Sequence, residues 1–196
     1  MPLLPDRRFH VIYADPPWSF RAWGPGGYGR SPTRHYDCMT PADICALPIA
    51  DIAEADCALF LWATDPMLPD ALRTMESWGF RYRTVAFVWA KLNSRAPASG
   101  FSADDFAIGT GYWTRANPEM CLLGTRGKPQ RVSRAVRRLV IANRREHSRK
   151  PDAVADGIVE LMGDVSRIEL FARESRAGWE SWGDQAVKFD TRKPLP

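Results

Sequence analysis

Apolar positions along the chain gather into short runs rather than long stripes. Residues 10–14 (HVIYA), 58–63 (ALFLWA), 84–89 (TVAFVW), 120–124 (MCLLG), 139–142 (LVIA) and 168–171 (IELF) are dense in β-branched and aromatic side chains, the composition of buried strands. Most lack the polar–apolar alternation of a half-exposed sheet, so the pattern predicts strands covered on both faces in a largely parallel sheet. Between them the spacing turns helical. Thr40-Pro41-Ala42-Asp43 supplies a capping threonine, a proline at the first helical position and an acid in the first turn, which opens a short helix ending near Leu47-Pro48. Residues 67–78 carry Leu68, Leu72 and Met75 near helical spacing and stop at Gly79. A third helix starts at Lys150-Pro151-Asp152 and carries Val154, Ile158, Leu161 and Met162 to a stop at Gly163. Strands alternating with helices predict a doubly wound α/β fold with helices on both faces.

Two stretches fit neither period. Residues 19–34 contain Gly24, Gly26, Gly27 and Gly29 with Pro25 and Pro32, and residues 93–108 are rich in Ser, Ala, Gly and Asp. Loops this long in a compact domain are usually functional or disordered. Each follows a strand, on the edge where α/β proteins bind ligands.

The length of 196 residues suits one domain, expected over residues 1–190 with a short tail at 191–196. With 45% hydrophobic and 26% charged residues the composition is that of a soluble globular protein. No run approaches the roughly 20 apolar residues of a membrane span, and the first residues lack a secretory signal. A cytoplasmic location without membrane contact is therefore expected. Cys38, Cys45, Cys57 and Cys121 show no Cys-x-x-Cys spacing, and His10, His35 and His147 are not paired at ligand spacing, so no metal site is expected.

Charge changes the picture more. Between Arg126 and Lys150 there are ten Lys/Arg and one acid, Glu146, a local charge of +9 within a chain of net +4. Everything else is net −5. A weakly acidic body with one basic strip suits a polyanion-binding protein. Arg126, Lys128, Arg131, Arg134, Arg137 and Arg138 are the candidate contacts to a nucleic-acid backbone, and Arg21, Arg30 and Arg34 add charge on the first loop.

The candidate chemistry lies where the first strand runs into Asp15-Pro16-Pro17-Trp18. Such a turn puts a carboxylate at the end of a buried strand. Its two prolines fix their own φ angles and donate no N–H, leaving nearby carbonyls rigid and able to accept. Trp18 adds a flat face expected at the rim. An adenine amine has two N–H donors. Asp15 and the Pro16 carbonyl would take both, favouring a more nucleophilic nitrogen, while Trp18 stacks on the flipped base. Direct attack on a sulfonium methyl then needs only alignment and charge placement.

This motif resembles that of the DPPW-type adenine methyltransferases, relatives of the eukaryotic mRNA N6-methyladenosine writer and of bacterial and phage DNA adenine methyltransferases. The resemblance runs from about Phe9 to Gln185. Tyr36, in HYDCM, resembles the family's tyrosine at the target base. Trp89-Ala90-Lys91 resembles its Trp-x-Lys, which implies a base-pocket wall and its polar lining. The stretch from Asn117 to Gly127 resembles the one whose glutamate, here Glu119, reaches the catalytic centre. On the cofactor side, Ser148-Arg149-Lys150-Pro151-Asp152 resembles Ser-His-Lys-Pro-Asp, Ile168–Arg173 (IELFAR) resembles Glu-Leu-Phe-Gly-Arg, and Trp179 with Gly183-Asp184-Gln185 resembles Trp…Gly-Asn-Gln. The resemblance implies a Rossmann-like class I methyltransferase fold in permuted order, catalytic motif first and cofactor strand last. It implies S-adenosylmethionine as cofactor: Glu169 accepts the ribose hydroxyls, Lys150 and the helix N-terminus hold the methionine carboxylate, Asp15 touches the methionyl amine, and Arg173, Asp184 and Gln185 surround ribose and adenine.

Departures are confined to the cofactor side. Family members usually have a strand upstream of the catalytic one, whereas only eight residues precede Phe9, so adenine binding is left to Asp184, Gln185 and Arg145. Arg149, Ala172, Ser175-Arg176 and Asp184 stand where the family has His, Gly, His-Asn and Asn. The substrate expected is a flipped or unpaired adenine, in DNA rather than RNA. RNA stays open as the alternative. So do another planar amine such as cytosine or a glutamine amide, a non-catalytic nucleic-acid-binding subunit, and association with a second copy or a partner subunit.

Overall fold

The computed structural model describes residues 2–19, 38–97, 99–109, 111, 113–146 and 149–190. A seven-stranded sheet runs through it: β1 (Phe9–Ala14), β2 (Ala53–Ala63), β3 (Arg81–Leu92), β4 (Glu119–Arg126), β5 (Leu139–Asn143), β6 (Arg167–Leu170) and β7 (Glu180–Trp182). Their order across the sheet is β5-β3-β4-β2-β1-β6-β7. All described pairings are parallel except those of β4, which is antiparallel to both β2 and β3. The largely parallel Rossmann-like sheet expected from the apolar runs is the one observed, with β7 as a strand the pattern did not announce. Only three residues long, β7 has no apolar run of its own.

Burial on both faces explains the missing alternation. Along β2, Leu59 and Leu61 face one apolar cluster and Phe60 and Trp62 the other. The first cluster is closed by α1 (Pro41–Cys45) through Ile44 and by α2 (Leu68–Ser77) through Ala71 and Met75. The second is closed by α3 (Asp152–Met162) through Val154, Ala155, Ile158 and Met162. The helix signals act as their chemistry dictates. The Thr40 hydroxyl accepts from the Asp43 N–H at 3.2 Å, and Gly163 ends α3 with φ of 77°, a left-handed angle that glycine adopts without Cβ strain. Within α3, a Cβ on Gly157 would stand 3.1 Å from the Phe87 ring. This glycine lets the helix lie close on β3.

The segment after β3 is less irregular than its composition suggests. A 3-10 turn at Ala103–Asp105 is closed by a capping box with Ser102, and Phe106 bridges back to Leu92. The carboxyl ends of the parallel strands, the start of antiparallel β4 and the start of α3 thus share one edge of the sheet.

Candidate active site

β1 carries Asp15 to that edge, and backbone bonds fix the turn beyond it. The Trp18 N–H donates to the Pro16 carbonyl (2.8 Å), the Met39 N–H to the Pro17 carbonyl (3.0 Å) and the Ser19 N–H to the Met39 carbonyl (3.2 Å). Met39 directly precedes Thr40, so the turn and α1 are set as one piece. Two expectations are corrected here. The proline carbonyls are engaged by the turn itself, although the Pro16 oxygen keeps a second lone pair. Trp18 is not at the rim: it is 4% exposed, and its indole N–H donates to the Trp62 carbonyl at 3.1 Å within the cluster under α1 and α2. A ring of that size is stabilised by burial once its one donor has a partner. It clamps the elbow to β2.

Around Asp15 the structure assembles a cluster of four charged groups, Asp15 included. Lys150 Nζ lies 2.7 Å from Asp15 Oδ2 and 3.4 Å from Glu119 Oε2, and Lys91 Nζ pairs with Glu119 Oε1. Asp15 follows β1, Lys91 lies near the end of β3, Glu119 opens β4 and Lys150 precedes α3. Asp15 and Lys150 are 135 positions apart in the chain. Trp62 lies under Lys150 Nζ at 5.2 Å and Trp89 beside Lys91 Nζ at 5.3 Å, and the two rings meet edge-to-face at 6.5 Å. Their indole N–H groups donate to Tyr13 Oη (2.7 Å) and the Ala142 carbonyl (2.9 Å). Burial opposes ionisation of Glu119, but Lys150 and Lys91 outweigh it and bring its carboxyl down to about 2. Asp15 goes the other way: burial raises it above the ordinary carboxylate value, Lys150 offsets part of that, and Glu119 adds to it.

Glu169, on β6 opposite Tyr13 of β1, lies on the other side of Asp15. Its Oε2 accepts from Arg176 Nε at 3.0 Å. Arg176 also donates to Asp152 Oδ1 (2.8 Å) and to Glu174. Burial pushes the Glu169 carboxyl up to about 7, with Arg176 compensating only in part and Glu174 and Asp15 raising it further. Phe171, just past β6, has φ of 59°, a left-handed angle uncommon for a bulky residue. A Cβ on Gly183 would come within 3.0 Å of the Phe171 Cα. The turn carrying Asp184 and Gln185 is thereby packed against the end of the Glu169 strand, and Gln185 Oε1 accepts from Lys188 at 3.0 Å. Arg173 stacks on Phe189 at 4.6 Å.

Of the sequence-derived site residues, Asp15, Lys91, Glu119, Lys150 and Trp89 come together, with Glu169, Arg173, Asp184 and Gln185 on the neighbouring strand ends. Tyr36, Arg21, Arg30 and Arg34 lie outside the described residues. Arg145, an expected adenine contact, instead forks onto Asp152 at 2.7 and 3.0 Å. The basic strip is divided. Arg126 pairs with Cys57 of β2 and donates to the Ala50 carbonyl (2.7 Å), and the Lys128 N–H donates to Asp56 (2.7 Å). Seven residues of antiparallel strand, about 23 Å, separate Arg126 from Glu119, so these two bases sit at the opposite edge from Asp15. Arg131, Arg134, Arg137 and Arg138 are exposed on the stretch that returns into β5; Arg131 and Arg134 flank Val132 and Ser133, whose N–H groups donate to Leu161 at the end of α3 away from Asp15, and Arg138 reaches Thr84 of β3. The pattern had missed Tyr13, Trp62 and Arg176. The first two read as core filling inside apolar runs, and their only signal was proximity to strand ends.

A parallel α/β sheet with carboxylates and lysines converging on the carboxyl edge of its central strands defines an enzyme of the doubly wound class. The MT-A70 family model matches residues 9–185, and the chain belongs to the MT-A70 methyltransferase family. It is 34% identical to the type II methyltransferase M.MunI of a Mycoplasma species, over 97% of this chain and 85% of that protein. It is 30% identical to an N(6)-adenosine-methyltransferase MT-A70-like protein of Arabidopsis thaliana, over 90% of this chain and 24% of the relative. Identity to the N(6)-adenosine-methyltransferase catalytic subunit METTL3 of Homo sapiens is 28%, over 91% and 28%. The chain thus spans most of the first relative and only about a quarter of the others.

Proposed function

We propose that the chain is an S-adenosylmethionine-dependent methyltransferase that modifies the N6 amine of adenine in DNA. The observation that carries this reading is the meeting of Asp15, Lys150, Glu119 and Lys91 over Trp62 and Trp89 at the strand ends. Asp15 accepts one amine N–H, and the second lone pair of the Pro16 carbonyl accepts the other, aiming the nitrogen lone pair out of the base plane. Glu119, ionised by its two lysines, holds Lys150 in place and keeps the site's charge fixed. Trp89, like Trp18, is 4% exposed, so its ring backs Lys91 from within the core and offers no face to the base, and Tyr36 is proposed to pack at the target base.

The donor set fits the cofactor. Glu169 Oε1 takes no hydrogen bond among the described residues and is an acceptor for ribose hydroxyls. Asp15 suits an ammonium group, Lys150 at the start of α3 suits a carboxylate, and Arg173, Asp184 and Gln185 flank the place for ribose and adenine. S-adenosylmethionine supplies a methyl carbon on a positively charged sulfur, electrophilic enough for direct attack by an amine.

DNA is favoured because the match runs along most of the type II methyltransferase but covers only about a quarter of the N(6)-adenosine-methyltransferases. Arg131, Arg134, Arg137 and Arg138 are proposed to hold the phosphate backbone, which makes binding strongly salt-dependent. The test is transfer of labelled methyl groups to matched DNA and RNA oligonucleotides, together with a filter-binding salt series. The reading predicts labelled DNA, and a salt slope that becomes shallower when Arg134, Arg137 and Arg138 are replaced by Glu. Methylation of RNA alone overturns the choice of polymer. An unchanged slope removes the strip from the interface.

A further inference from the structure

Arg176 stands where the resembled family has a different residue, and its surroundings are unusually complete. Each of its three nitrogens is given to a carboxylate from a different place: Nε to Glu169 on β6, Nη1 to Asp152 at the first position of α3, Nη2 to Glu174 on the loop after β6. The outer oxygens of that set are held in turn. Arg145 forks onto Asp152, and Arg149 Nη2 lies 2.5 Å from Glu174 Oε2. The planar guanidinium is therefore fixed in orientation before any ligand arrives, a service that one lysine ammonium, a point charge on a flexible stem, does not provide. Because, among the described residues, only Oε2 of Glu169 accepts a hydrogen bond, the fork also fixes the direction in which Oε1 points.

We propose that Arg176 is the positioning residue for Glu169: it orients the carboxylate so that Oε1 is presented to the ribose hydroxyls of the cofactor. The inference rests on the cofactor reading above. Its alternative is a latch, in which Arg176 competes with the ribose for Glu169 and must be displaced. The two differ in sign, since removing a latch tightens binding and removing a positioning residue weakens it.

The charged and titratable groups facing Glu169 are Tyr13 on β1 and Asp15 just past it, Glu174 and Arg176 on the loop after β6, and Asp152 of α3 through Arg176; its neighbour on β7, Ser181, carries no charge. Burial, Glu174 and Asp15 all favour the protonated carboxyl, and Arg176 opposes them. Loss of Arg176 therefore moves the titration of Glu169 upward, and the pH below which a ribose ligand is lost rises with it.

The experiment is calorimetric titration of the unaltered chain, R176M and R176K with S-adenosylhomocysteine and with its 2′,3′-dideoxy analogue, between pH 6 and 9. R176M is expected to bind S-adenosylhomocysteine roughly tenfold more weakly near neutral pH, the scale of one hydrogen bond to a charged group. The dideoxy analogue, lacking the hydroxyls, should lose far less. The pH midpoint should rise in R176M, and R176K, which keeps the charge without the fork, should recover the midpoint more fully than the affinity. If R176M does not fold, R176K carries the same test through a loss confined to the ribose ligand. Equal losses for both ligands, unchanged affinity, or tighter binding overturn the inference while leaving the cofactor reading intact. Failure of the unaltered chain to bind S-adenosylhomocysteine at any pH overturns both.

Discussion

Glu119 and Glu169 flank Asp15 from opposite sides, each at the site edge of the sheet, and their side chains are 19% and 13% exposed. Burial alone would make them behave alike. Glu119 has Lys91 and a share of Lys150 with Asp15, two cations for two carboxylates, and falls to about 2, whereas Glu169 shares one arginine with Asp152 and Glu174 and rises to about 7. Partner allocation, not depth, decides the charge of a buried carboxylate. Glu119 is consequently ionised throughout the working range, while Glu169 is poised where one contact changes its state.

Asp15, between the two, is where the contrast should have its largest effect. Asp15→Ala is expected to cut single-turnover methyl transfer by roughly 10³-fold, the scale for losing one preorganised electrostatic partner. The fold should survive, because the elbow is held by the Met39 bonds and by buried Trp18. Retention of more than a tenth of the rate would remove Asp15 from the reaction.

Glu119→Gln comes next. A carboxyl depressed to about 2 contributes stability present above its ordinary value of 4.5 and lost as pH falls toward 2. Its removal is expected to cost on the order of 3 kcal/mol at pH 7, measured by urea unfolding. Glu169→Gln should do the reverse. A carboxyl raised to about 7 contributes stability that is fully present below the ordinary value and lost as pH rises through 7. The amide is expected to stabilise the fold by about 1–2 kcal/mol at pH 8, less than the full shift because Arg176 loses an ionic partner. The unaltered chain should weaken between pH 4.5 and 7 through this group, and the variant should not. A destabilised Glu169→Gln at pH 8 would erase the distinction between the two glutamates.

Tyr13→Phe is the smallest change. It leaves the Trp62 indole N–H without its acceptor beneath Lys150, at a cost of about 1–2 kcal/mol in unfolding free energy. A loss well beyond that would mean that Tyr13 supports more of the site than the ring under Lys150.

Six of the seven strands and the three helices were legible because burial on both faces writes unbroken apolar runs, and because Thr40, Gly79 and Gly163 mark helix ends through local backbone chemistry; β7, three residues long, was not. Asp15, Lys91, Glu119 and Lys150 were legible through short motifs at strand or helix ends, where side chains are committed to the edge. What stayed hidden depended on tertiary partners. Trp18 looks the same in sequence whether it lies on the rim or under α1, since only the Trp62 carbonyl decides. Nothing in one dimension separates Arg126, turned to the far edge by the direction of β4, from Arg137 on the return into β5. Arg176 appeared only as a departure from a familiar pattern, and the three carboxylates that give it meaning come from residues 152, 169 and 174.

This edge of the sheet is proposed to methylate an adenine amine. Mass spectrometry of nucleosides, after incubation of unmethylated DNA with the protein and S-adenosylmethionine, tests it most directly. N6-methyldeoxyadenosine is expected, and it should be absent when Asp15→Ala replaces the unaltered chain. Methylated cytosine, or no methylated nucleoside from a chain that binds both cofactor and DNA, would contradict it.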